Sequence, residues 1–241
     1  MVRVDIHSKV YTQDKIIGEL AFNAKETEIV AIVGPSGAGK STLLNIIAGL
    51  DKNFVGSVSL PRTKGEKPNI AYMFQEPRLL PWRTVLENVC LVGDSTPSSF
   101  QRAESLLTKV GLADQLHAYP RQLSGGMRRR ASLARAFLPR PGVLLMDEPF
   151  VSLDSPSAEA LRASFLELWD DCGTTVVYVT HDLAEALSVA DRVLFLSASP
   201  ATIILEVAVN DKRPGTSLAK SIQSLQNQLL VEHPRLLNGY S

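Results

Sequence analysis

The chain has 241 residues, 45% of them hydrophobic and 21% charged, and its 25 Lys and Arg balance its 25 Asp and Glu. That length allows one large domain or two small ones around a substantial core, with the composition of a soluble globular protein. Zero formal net charge argues against wholesale nucleic-acid binding, which needs a basic surplus or a clear basic face, and no segment approaches the roughly 18 consecutive apolar residues of a membrane-crossing helix.

The two cysteines, Cys90 and Cys172, lack any Cys-x-x-Cys or Cys/His ligand spacing, so they read as buried or half-buried thiols in a reducing compartment. The first residues alternate like a strand and carry no apolar signal region, which points to a cytoplasmic protein. If it serves a membrane, another chain must do the spanning.

Along the chain, strands are expected over 2–6, 16–22 and 29–33, the last a continuous apolar run suited to burial on both faces. A helix then covers the stretch TLLNIIAGL and closes at Gly49. Two more strands, over 56–60 and 69–74, are joined by a polar loop. Between 76 and 122 the pattern turns helical, with helices over 85–91, 100–110 and 113–118. Thr84 is the natural N-cap of the first, Ser98 or Ser99 begins the second and Gly111 ends it. Alternation then resumes: helix 126–138, strand 143–146, helix 156–169, strand 175–179, helix 183–189, strands 192–196 and 202–207, and a last helix near 217–231. This order predicts an α/β protein with a mostly parallel core sheet flanked by helices, antiparallel strands at its N-terminus and an inserted helical subdomain.

Gly34, Pro35, Ser36, Gly37, Ala38, Gly39, Lys40 and Ser41, followed by Thr42, satisfy the phosphate-loop pattern G-x-x-x-x-G-K-[ST] between a buried strand and a helix. Glycines let the backbone turn tightly and bring its N–H groups to phosphate oxygens, and the helix start adds its dipole. Lys40 should reach the outer phosphates and the Ser41 hydroxyl should ligate Mg²⁺. The fold expected is therefore a P-loop NTPase core, although the loop alone leaves kinases, GTPases and many ATPases open.

At the end of the strand over 143–146 stand Asp147 and Glu148. Ligands collect at the carboxyl ends of parallel strands, so Asp147 is expected to hold Mg²⁺, through water, and Glu148 to orient the attacking water. An acidic strand end before a turn is otherwise an ordinary surface arrangement.

Leu123, Ser124, Gly125, Gly126 and Met127 head the helix MRRRASLARAFL, and here the chain resembles the ATP-binding cassette family, whose signature is written LSGGQ. The stretch offers a second anion nest: a hydroxyl, glycine N–H groups and a helix N-terminus. The resemblance covers about residues 1–210 and implies that this face grips the γ-phosphate held by a second copy, so that two ATP are sandwiched in a head-to-tail homodimer. It also implies a sensor role for Gln75 toward Mg²⁺ and water. Ser152, Leu153 and Asp154 match a loop that crosses to the partner, and His181 matches a histidine that contacts γ-phosphate. Tyr11 sits where relatives carry an adenine-stacking aromatic, although a tyrosine on a surface strand would read the same. Met127 departs from the usual glutamine while Ser124 and both glycines are kept. Arg128, Arg129 and Arg130 read as a solvated helix face, with one of them free to position the neighbouring glycines.

Residues 1–210 are expected to form one cassette with its helical subdomain at about 76–122, and 211–241 a short helical extension. A cassette without fused membrane helices is most like an importer subunit at the cytoplasmic face of the membrane. It would work with a separate transmembrane permease and, indirectly, an extracytoplasmic solute-binding protein. The string from Gln75 through Leu79, Leu80 and Trp82 resembles subunits importing nitrate, sulfonates, taurine or thiamine-precursor pyrimidines. Those three apolar residues either cradle a coupling helix of the permease or simply pack the helical subdomain. The rival readings are a non-transport cassette ATPase acting on nucleic acid or a protein complex, and an ATP-binding module without turnover.

Overall fold

The computed structural model describes residues 1–12, 14–61, 69–151, 153–209 and 216–239, the side chains of 216–221 excepted. In chain order the elements are β1 (Val2–Tyr11), β2 (Asp14–Ile17), β3 (Leu20–Ala24), β4 (Ile29–Val33), α1 (Lys40–Ile47), β5 (Val55–Ser59) and β6 (Ile70–Met73). Then come α2 (Val85–Cys90), α3 (Pro97–Lys109), α4 (Gly125–Phe137), β7 (Val143–Asp147), α5 (Ser155–Cys172) and β8 (Thr175–Thr180). The last are α6 (Leu183–Val189), β9 (Arg192–Leu196), β10 (Ile203–Ala208) and α7 (Thr216–Glu232). They fall into two compact units, Met1–Glu66 with Thr175–Ser241, and Lys67–Thr174. The result is the mixed α/β architecture expected, with parallel strands, N-terminal antiparallel strands and a helical stretch between β6 and α4.

In the first unit, β4 runs parallel to both β8 and β9, and β10 closes the edge antiparallel to β9. Every residue of β4 and of β8 is buried, as a strand covered on both faces requires. A separate antiparallel group is built around β1, which pairs with β3 and β5 along its first half and with β2 at its far end. The expectation of a single strand over 16–22 fails. Gly18 turns away to give its N–H to the Ala201 carbonyl, so β2 ends at Ile17 and β3 starts afresh at Leu20 on different residues of β1.

The expected strand over 2–6 is likewise too short, because β1 continues to Tyr11. Its alternation slips on the way. Val2, Val4 and Ile6 are buried at even positions, but further on it is Lys9 that is buried. The pairing with β5 shifts between Ile6 and Ser8, and that with β2 between Lys9 and Val10. Such bulges re-aim side chains.

In the second unit, β6 and β7 pair in parallel and the helices pack through a tilted aromatic cluster of Phe137, Phe150 and Phe165. Helix α2 opens on a complete capping box: Glu87 N–H donates to the Thr84 hydroxyl, and the Glu87 carboxylate accepts from Thr84 N–H. Helix α3 begins earlier than expected, with Pro97 in its first turn and Thr96, rather than Ser98 or Ser99, as its cap. Proline suits that position because its missing N–H has no helical partner there. The expected helix over 113–118 is only a short 3₁₀ turn, Ala113–Gln115. The loop expected between β5 and β6 lies at 62–68, outside the described residues.

Candidate nucleotide site

In the first unit the strand β4 ends at Val33 and the phosphate loop leaves it directly. Gly37 and Gly39 adopt left-handed backbone, at φ +81° and +87°. A Cβ on Gly39 would also stand 2.8 Å from Ile16 Cγ2, so that position needs glycine for both conformation and space. Gly39 is the N-cap residue of α1 and has no side chain to cap it, and no acidic residue stands in the first turn. A helix start without a capping side chain or a first-turn acid is of the kind that suits an anion. Lys40 is 6% exposed, its ammonium donating to the carbonyls of Gly34 and Pro35, each at 2.9 Å. A cation ringed by the loop backbone is the arrangement a polyphosphate fits.

The neighbouring strand end belongs to β8, whose Thr180 is in register with Val33. His181 follows it at once, exposed, and Asp182 caps α6 by accepting from Glu185 N–H at 3.1 Å. The loops bearing Gly34 and His181 thus leave adjacent parallel strands at the same end of the sheet, where ligands gather in such folds.

Tyr11, at the end of β1, is 45% exposed. Its hydroxyl donates to Asp51 Oδ2 at 2.6 Å, and this bond pushes the phenol's pKa up, with the Thr42 hydroxyl opposing. Asp51 is held below the usual carboxylate range by its hydrogen bonds to Lys9 first and Tyr11 second.

In the second unit β6 and β7 play the corresponding part, Met73 being in register with Met146. Asp147 ends β7, 8% exposed. Burial, and then the Asp147 charge, push the Tyr72 phenol's pKa up. Glu148 follows with φ +46°, a left-handed conformation that costs a non-glycine residue roughly 1–2 kcal/mol. Gln75 Nε2 donates to Glu148 Oε2 at 3.2 Å, bringing together two site residues separated by 72 others.

Backbone strain at Glu148 is held by a residue that sequence reasoning placed on a solvated face. Arg129 is 8% exposed, and its Nη1 donates to the carbonyls of Glu148 at 3.0 Å and Pro149 at 2.8 Å. Arg135, on the same helix, donates to the carbonyls of Pro77 at 2.7 Å and Arg78 at 2.9 Å, just beyond Gln75. Arg128 holds the Leu123 carbonyl at 2.9 Å. The spacing of these arginines along α4 carries no hint of such tethers, since each reaches a carbonyl that any residue could supply.

Ser124 caps α4, its hydroxyl accepting from Met127 N–H at 3.2 Å, with Gly125 and Gly126 in the first turn and no acidic residue there. Asp154 caps α5 through Ser157 N–H at 3.1 Å, and its hydrogen bonds to Ser157 hold its carboxyl below the usual range. Ser152 lies outside the described residues.

For Mg²⁺ the test is donor chemistry. Ser41 offers a hydroxyl and Asp147 a carboxylate. Gln75 uses its amide N–H on Glu148, which leaves the amide oxygen as the atom that could face a metal. These are hard oxygen donors, few in number, which suits an ion that completes its shell with phosphate and water. Among the described residues, no three His, Cys, Asp or Glu gather to hold a metal by themselves.

The segment after Gln75 is knotted by Asn88, fully buried. Its Oδ1 accepts from Leu80 N–H at 2.7 Å, while Nδ2 donates to the carbonyls of Leu80, Arg83 and Thr84. Leu79 and Leu80 are half-buried, and Trp82 stands 70% exposed. Both cysteines are free and half-buried, and burial pushes each thiol's pKa up. Among the described residues, no helix is long and apolar enough to cross a membrane.

A phosphate loop leaving a buried parallel strand, with an acidic strand end and a tethered glutamate, defines a nucleotide-binding P-loop protein. The chain belongs to the ABC transporter family, whose model matches residues 17–151. It is 42% identical over 231 residues to the aliphatic sulfonates import ATP-binding protein SsuB 1 of Streptomyces avermitilis, covering 95% of this chain and 85% of that one. A second relative, the aliphatic sulfonates import ATP-binding protein SsuB 2 of Pseudomonas syringae pv. tomato, is 38% identical over 233 residues and 96% of each chain. Among solved structures, the dimeric post-hydrolysis state of the ATP-binding cassette MJ0796 bound to ADP and Pi is similar with a TM-score of 0.75. It is 31% identical, with 88% of this chain and all of that one covered.

Proposed function

We propose that this chain is the ATP-binding and ATP-hydrolysing subunit of an importer, working at the cytoplasmic face of a membrane with a separate transmembrane subunit. Residues 1–210 act as one cassette, with 76–122 as its helical subdomain and 211–241 as an extension. Its sulfonate-importing relatives make a small sulfonated or similar anionic solute the favoured cargo, delivered to the permease by an extracytoplasmic binding protein.

In this reading the triphosphate lies along the backbone amides of residues 34–42, with Lys40 on its outer phosphates. Tyr11 takes the base on its ring. Ser41, Asp147 and Gln75 would hold Mg²⁺, which would supply neutralising charge to the phosphates. Glu148 accepts a hydrogen bond from the attacking water and aims it, with Gln75 fixing the carboxylate and His181 donating toward γ-phosphate. Ser124, Gly125 and Gly126 grip the γ-phosphate bound by a second copy, and Asp154 belongs to the loop crossing between copies. Two chains thus close head to tail on two ATP.

The observation that carries this reading is the bond from Gln75 to Glu148 at the end of the parallel pair β6 and β7. It assembles a water-orienting carboxylate from distant parts of the sequence. Leu79, Leu80 and Trp82, presented by the Asn88 knot, form the seat for a helix of the permease. Replacing Leu80 and Trp82 by polar residues should abolish transport by the reconstituted complex while soluble phosphate release from Mg-ATP persists. Equal loss of both activities would refute the seat, and no phosphate release by the native chain would refute the ATPase.

A further inference from the structure

Lys9 is an anomaly on β1. It is 1% exposed, among the least accessible side chains of the molecule, and a buried ammonium is costly unless fully paired. Here it is paired on every side. Its Nζ lies 2.8 Å from both oxygens of Asp51 and donates to the Asn53 carbonyl at 2.7 Å. The same ammonium sits over the Tyr11 ring, 4.3 Å from its centroid, within the range of a cation–π contact. Asp51 in turn accepts from the Tyr11 hydroxyl at 2.6 Å. The three side chains close a ring of contacts, so the phenol is fixed by its oxygen and by one face.

Two further features set where this ring lies. The slip of alternation on β1 turns Lys9 inward, which lets a strand end carry an exposed ring on a buried charge. Asp51 is anchored immediately after α1, its N–H donating to the Asn45 carbonyl at 3.1 Å. The orientation of Tyr11 is therefore referred to the helix that the phosphate loop opens, and not to the end of β1 alone. With Lys9 on one face, the other face of the ring is the one available to a base.

We infer that Lys9 and Asp51 are positioning residues for the nucleotide's base: neither touches it, but together they hold Tyr11 in the plane and register it needs to stack. This deepens the reading of Tyr11 as the base platform and rests on it. The pair contributes to the affinity for a base-bearing nucleotide and not to the affinity for phosphates, because its hydrogen bonds go to Tyr11, Asn45 and Asn53 and to each other.

The test uses the purified full chain and compares KM for Mg-ATP with the inhibition constant of tripolyphosphate, which has no base. Tyr11→Ala serves as the reference, and stacking on an aromatic leads to a rise in KM of about tenfold. Lys9→Met should raise KM by a similar factor, leave kcat at saturation unchanged and leave tripolyphosphate inhibition unchanged. Should unpaired Asp51 disturb folding, the Lys9→Met/Asp51→Asn variant removes both charges and should behave the same way. Adding Lys9→Met to Tyr11→Ala should cost nothing further. Unchanged KM in the Lys9 variants beside a raised KM in Tyr11→Ala overturns the positioning role alone. Parallel loss of ATP and tripolyphosphate affinity also overturns it, marking the pair as merely structural. If Tyr11→Ala itself leaves KM unaltered, the platform reading falls, and the inference with it.

Discussion

The two units build their candidate residues from different materials. In the first, the phosphate loop is backbone: left-handed glycines, helix amides and carbonyls that ring Lys40. In the second, Glu148, Gln75 and Ser124 are side chains whose segments are tied down by arginines of α4. Backbone geometry gives a rigid cradle whose demands are steric. Side-chain tethering gives aim that depends on single long residues. The difference predicts that damage to the phosphate loop should be read in KM, and damage to the tethers of Glu148 in kcat.

The largest effect is expected at Gly39. Gly39→Ala meets both a positive φ and Ile16 Cγ2 at 2.8 Å, a strain of about 1–3 kcal/mol. KM for ATP should rise by roughly ten- to a hundredfold, each 1.4 kcal/mol being a factor of ten, with a smaller change in kcat measured at saturation. A kcat loss with unchanged KM would erase the contrast between the units. Next comes Arg129→Met, which removes the clamp on the Glu148 and Pro149 carbonyls. Misaiming the carboxylate should lower kcat by on the order of tenfold while nucleotide affinity stays within about twofold, as steady-state kinetics and equilibrium binding would reveal together.

The smallest effect is the pH dependence that Asp51 gives the first unit. Asp51 has its folded-state pKa depressed by Lys9 and Tyr11, so the stability it adds is fully present above the ordinary carboxylate range. It is lost as pH falls through the depressed folded value. Acid melting of the native chain should therefore steepen only below about pH 4, and Asp51→Asn should flatten that limb. A native limb already flat there would mean that the pair contributes nothing to stability.

What was legible in the sequence was local or periodic. The phosphate loop is one contiguous string, β4 and β7 are unbroken apolar runs, and Asp147 and Glu148 mark a strand end by position. What was not legible depends on contacts across long separations. The break at Gly18 follows from a hydrogen bond to Ala201, which no local pattern encodes. Lys9 lies beyond the strand expected over 2–6, and a period of two has no means of signalling the bulges beside it. Arg129 reads as a solvated charge and Arg135 gives no local signal, yet they reach backbone carbonyls 19 and 57 or 58 positions away. The third expected helix of the subdomain shrank to one 3₁₀ turn at Ala113–Gln115, since helix propensity over so few residues is weak beside tertiary packing.

The most direct test of a division between a nucleotide cradle and a tethered carboxylate is Glu148→Gln incubated with Mg-ATP and followed by size-exclusion chromatography with nucleotide and phosphate assays. The account predicts a dimer that retains intact ATP and releases negligible phosphate. A protein that stays monomeric with ATP bound, or that hydrolyses it at the native rate, contradicts it.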